Sequence, residues 1–153
     1  MTDHLDQAIM RQLYGMYAAL DPPPADLDDR VLFALDLENL DAEVARHSAD
    51  RVGAGARADE QARTITFDAD SRTILVTIAG QADGLVRIDG WLAPGESLLV
   101  ELRSRDAAAP RTVTADEGGR FVLDGVSRGM AQLVVHPPPG SDLPSVVTPS
   151  LRL

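Results

Sequence analysis

Apolar residues recur at intervals of three and four from Thr2 to Leu20: Leu5, Ile9, Leu13, Met16, Tyr17 and Leu20. That spacing puts all six on one face of a helix. Thr2 or Asp3 can cap its start, and Asp21-Pro22-Pro23-Pro24 ends it, because proline lacks the amide proton a helix needs. A second helix is predicted from Ala25 or Asp26. Asp26, Asp28 and Asp29 suit the positive end of its dipole, and it runs through Val31, Leu32, Leu35, Leu40 and Val44 towards His47. Asp50–Ala62 is rich in small and charged residues without a period and reads as a linker.

Beyond the linker the period becomes two, the signature of half-buried strands. Ile65 and Phe67 alternate within Arg63–Asp68, and Ile74, Val76 and Ile78 within Arg72–Ala79. Val86, Ile88, Gly90 and Leu92 oppose Leu85, Arg87, Asp89 and Trp91, and Leu98, Val100 and Leu102 share a face. Arg111–Ala115, Arg120–Leu123, Met130–His136 and Val146–Leu153 complete the set, separated by turns at Asp68–Ser71, Pro94-Gly95, Glu117–Gly119 and Ser127–Gly129. The expected fold is therefore α+β: an N-terminal helical hairpin followed by an antiparallel seven- to eight-stranded β-sandwich. Its expected domains are an acidic helical hairpin over 2–48, a linker over 49–62 and the sandwich over 63–153. The hairpin is too small to offset its own ordering entropy, so its apolar face needs the sandwich, a second copy or another protein.

Charge sharpens this division. Residues 1–50 hold 11 acids and 3 arginines, whereas 51–153 hold 13 acids and 11 arginines. The 153-residue chain has a net charge of −10, which argues against a nucleic-acid binder. It contains no Cys and no Lys, removing thiolate, disulfide, Schiff-base and P-loop chemistry. No apolar run is long enough to span a membrane. Asp3 and Asp6 stand where a secretory signal would be basic, so a cytoplasmic location is expected.

His4, His47 and His136 fall in three segments without metal-ligand spacing, and no serine sits in a nucleophile elbow. Asp68-Ala69-Asp70 lacks the glycine and terminal glutamate of a calcium loop and reads as a turn. Glu117-Gly118-Gly119 precedes a strand, where no helix dipole helps hold a phosphate. No catalytic set, cofactor site or metal site is expected. The candidate partner-binding residues are Leu5, Ile9, Leu13, Met16, Tyr17, Leu20, Asp28, Asp29 and Leu35 on the helices. Trp91 joins them as a possible hot spot, or else as intramolecular packing.

Asp116–Val135 contains Asp116-x-x-Gly119-x-Phe121 and Gly125-Val126-Ser127-Arg128-Gly129, then the alternating strand from Met130. This stretch resembles the carboxypeptidase regulatory-like domain of the transthyretin-like, or prealbumin-like, sandwich group. Val86-Arg87-Ile88-Asp89-Gly90-Trp91-Leu92 resembles that family's opening strand. The likeness spans about residues 72–136 and implies the sandwich while saying little about activity. Some relatives form Lys–Asn cross-links, which a chain without lysine cannot. Leu20-Asp21-Pro22-Pro23-Pro24-Ala25, followed by Ala34-Leu35-Asp36-Leu37-Glu38-Asn39-Leu40-Asp41-Ala42-Glu43-Val44-Ala45, is similar to small actinobacterial proteins found beside sigma-factor genes. That resemblance implies an anti-sigma-like regulatory role, although the His and Cys motif of zinc anti-sigma domains is absent. The expectation is a non-enzymatic adaptor whose acidic amphipathic helices bind a protein, with a sigma factor as the implied partner. A ligand- or peptide-binding sandwich and a homo-oligomer assembled through the helices stand as alternatives.

Overall fold

The computed structural model describes residues 2–25, 27–28, 31–32, 42–52 and 62–153. The chain divides into two compact units, Met1–Leu32 and Phe33–Leu153. In the first, α1 covers Thr2–Leu20, with the bounds its periodicity predicts. The Asp21 amide donates to Tyr17 O at 2.9 Å, and the prolines then end the helix.

The second unit is built from two mainly antiparallel sheets. One runs β2 (Arg46–Val52), β3 (Arg63–Asp68), β4 (Thr73–Gly80), β5 (Leu85–Ala93) and β8 (Arg120–Ser127) in that spatial order. The other runs β1 (Glu43–Val44), β10 (Val146–Val147), β9 (Met130–Val135), β6 (Leu99–Ser104) and β7 (Arg111–Thr114), and β11 (Leu151–Arg152) also pairs with β9. Among the described strands only β1 and β10 pair in parallel.

The residues that alternation assigned to the inner face are buried. Ile65, Phe67, Ile74, Val76, Val86, Ile88, Leu92, Phe121 and Leu123 from one sheet join Val100, Leu102, Leu133 and Val135 from the other in a single core. Val134, on the opposite side of β9, is buried as well, which accounts for the unbroken apolar run Leu133-Val134-Val135. Gly90 is an inward position of β5 whose missing side chain is occupied by the Phe121 ring across the β5–β8 ladder. Gly119 has φ +79° and passes so close to Leu92 O that a Cβ would collide with it. The Leu92 amide donates to Gly119 O at 2.8 Å.

The helical hairpin is not supported. Only one α-helix, α1, has its bounds described; Leu27, Asp28, Val31 and Leu32 are helical, but most of the predicted second helix lies outside the described residues. Its predicted far end is strand: Val44 lies in β1 and His47 in β2. Ala49–Val52, expected to open the linker, continues β2 and pairs with Arg63–Thr66. The rest of the predicted linker, 53–61, lies outside the described residues. Residues 42–52 include three Ala and two Arg, which favour helix locally, but tertiary pairing outweighs that preference. The Ala45 amide donates to Val147 O at 2.9 Å, its side chain is 1% exposed, and His47 lies opposite Phe67.

Candidate functional site

At 1.5 Å per residue α1 is about 28 Å long. Ile9 (46% exposed), Leu13 (40%), Met16, Tyr17 (62%) and Leu20 form the predicted stripe and all face solvent. Leu5 lies within α1, Asp28 is exposed, and Asp29 and Leu35 lie outside the described residues. Met10 and Tyr14, which were not assigned to the stripe, are also exposed and extend it. On a helical wheel the apolar arc then covers about 180°. The signal for them was present, since Met10, Tyr14 and Tyr17 repeat the same four-three spacing one residue out of step. Between Gln12 and Leu20 the helix carries no charged residue. Asp3 and Asp6 share the arc in its first turns, and Asp21 follows its end, so the uncharged part of the apolar surface is the stretch from Gln12 to Leu20.

Trp91 lies on the outer face of β5, cross-strand from Leu75 on β4 and Arg120 on β8. Its indole Nε1 donates to Gly118 O at 2.8 Å, and the Arg120 guanidinium carbon lies 6.0 Å from the ring centroid. The ring is 50% exposed. One edge of Trp91 therefore anchors the Gly118-Gly119 turn while the other stays available. Trp91 belongs to the two-sheet unit, whereas the stripe belongs to the helical one.

The two turns that resembled ligand loops satisfy themselves. Thr73 Oγ1 donates to Asp68 Oδ1 at 2.8 Å, and the Ala69 amide donates to Arg72 O. Glu43 binds both the amide and the hydroxyl of Ser71, and the Ser71 hydroxyl hydrogen bond is the main cause holding its carboxyl below the usual range. In the second turn, Asp116 accepts the Gly119 amide through its carbonyl and the Arg120 amide through its carboxylate.

A polar cluster on the outer face of the second sheet was not foreseen. Glu101 on β6 accepts Arg103 Nε at 2.6 Å and lies 2.7 Å from His136 Nε2. Burial raises the Glu101 carboxyl, but the bonds from Arg103 and His136 outweigh it and hold the group below its ordinary value. Gln132, cross-strand from Arg103 on β9, is buried with an unpaired Oε1. Glu101 and Arg103 are two apart on one strand, but His136 is 35 residues from Glu101, so only the β6–β9 pairing brings the cluster together.

Comparison with protein-family models, curated proteins and solved structures finds no match to this chain.

Proposed function

We propose that the protein is a non-enzymatic, cytoplasmic regulatory adaptor that binds a protein partner through α1. The two-sheet unit, read as a sandwich of the carboxypeptidase regulatory-like kind, is its scaffold. The exposed apolar arc of α1 is the supporting observation. Fully burying one Leu or Ile side chain is worth about 1.5–3 kcal/mol, so a groove receiving Ile9, Leu13 and Leu20 has ample driving force. The preferred partner is a sigma factor, on the resemblance of the N-terminal segment to proteins encoded beside sigma-factor genes. Asp3 and Asp6 before the uncharged stretch, and Asp21 after it, suit basic helices around such a groove.

The test is surface plasmon resonance between the full-length protein and purified sigma factor from the same cell, with wild type beside Leu13→Asp/Tyr17→Asp. Both residues are exposed, so the variant should keep the strand circular-dichroism signal of wild type while binding falls at least a hundredfold. Unchanged binding by the folded variant refutes the helical interface.

A second reading is assembly through α1 of two copies. The absence of charge from Gln12 to Leu20 favours it, because no like charges would meet along that stretch. Sedimentation equilibrium separates the two: a concentration-dependent mass abolished by the same double substitution favours self-assembly.

A further inference from the structure

One end of the two-sheet unit holds a cavity of about 220 Å³ between the β6–β7 loop, residues 105–110, and the Ser127–Gly129 turn joining β8 to β9. Leu102, Val126 and Met130 give it an apolar side, while Arg111, Arg128 and Asp106 supply its charges. Its walls are held by bonds within the chain. The Arg105 amide donates to Met130 O at 3.0 Å, and the Leu153 amide to Gly129 O at 2.9 Å. Gln81 Nε2 donates to Asp124 Oδ1 at 2.7 Å, and the Gly125 amide donates back to Gln81 Oε1.

Arg111, the first residue of β7, is oriented by the same framework. Its Nη1 donates to Gly125 O at 3.1 Å and its Nη2 to Asp124 O at 2.8 Å. Both acceptors are neutral carbonyls, and among the described residues no carboxylate lies within ion-pair distance of Arg111. Arg128 likewise has no hydrogen bond or ion pair among the described residues. A guanidinium carries five donors, so Arg111 keeps donor capacity and its full charge after holding the two carbonyls. The cavity thus has two cations, one acid and an apolar side, an arrangement that favours an anionic head on an apolar body.

Size narrows the class. A dry cavity of about 150 Å³ holds benzene, with its six carbons, so this one admits roughly nine non-hydrogen atoms. We propose that the cavity binds a short aliphatic carboxylate, its head paired with Arg111 and its chain lying on Leu102, Val126 and Met130. This site lies wholly in the two-sheet unit and does not rest on the role given to α1.

The probes are sodium valerate and its neutral isostere valeramide, titrated into the isotope-labelled full chain and followed by amide chemical shifts. Valerate should move the amides of Gly125, Gly129 and Met130 saturably, and valeramide should bind at least tenfold more weakly. Arg111→Gln should abolish that preference. Because Arg111 also ties two carbonyls, Ala109→Phe is the second variant: it fills the lining beside Arg111, keeps the charge, and should abolish binding while leaving distant amides in place. The proposal is overturned by a valerate titration without saturable shifts at these residues, by equal affinity for the two probes, or by undiminished binding to Ala109→Phe.

Discussion

Replacing Gly90 by alanine should destabilise the two-sheet unit, contrary to the usual effect in a strand. A glycine inside a strand costs roughly 0.5–1 kcal/mol relative to alanine, so relief of that cost would normally stabilise. Gly90 is not among the glycines with positive φ, so alanine meets no backbone strain there. The obstacle is the Phe121 ring, three of whose carbons occupy the space a Cβ needs. Phe121 is 3% exposed and cannot swing into solvent. Overpacking of this kind costs about 1–3 kcal/mol, and the completeness of the overlap points to the upper half of that range. After the backbone gain is subtracted, about 1–2 kcal/mol of destabilisation remains, or about 4–8 °C in Tm for a unit of this size. Urea unfolding followed by circular dichroism measures it, provided the m-value is unchanged. Phe121→Leu in the same background should recover part of the loss, with a coupling of about 0.5 kcal/mol or more. A neutral or stabilising Gly90→Ala, or additive costs in the double variant, would refute the reasoning.

Other outcomes follow from the same structure. Ala45→Asp places a carboxylate at a fully buried position beside the β1–β10 pairing and should cost about 2 kcal/mol or more in thermal unfolding; at a solvent-facing helix end it would be nearly silent. Glu101 titrates below its ordinary value of 4.5 in the folded chain, so the unfolded state takes up its proton first as pH falls. Its contribution is therefore complete above that value and lost as pH drops through the lowered one. Glu101→Gln should flatten the stability profile in that acidic window, and a profile identical to wild type would contradict the assignment. Trp91→Ala should cost only about 1 kcal/mol in the same unfolding assay, because half the ring is already exposed and one hydrogen bond to Gly118 is lost.

The strands from Arg63 to Ser127 and their inward faces were legible from alternation, and the turns between them from Gly, Pro and Asp. Val146–Leu153, expected as one strand, is instead two short ones, β10 and β11, each paired with a β9 that is buried on both faces. A period of two assigns each side chain to a face whatever its neighbours are, and Ile88 and Leu92 went inward as that period requires. The bounds of α1 were equally local, set by spacing and by a proline run. Tertiary structure decided the rest. Whether Val44–Val52 continues a helix or edges a sheet depends on amides paired with Val147 and with β3, partners far along the chain. The meeting of Glu101 with His136 and the cavity under Arg111 depend on which strands lie side by side, and alternation carries no information about that order. The apolar arc of α1 was written in its sequence, but the exposure of its side chains from Ile9 to Leu20 is a property of the folded chain. Spacing sets which side chains share a face, whereas burial is a property of whatever is packed against it.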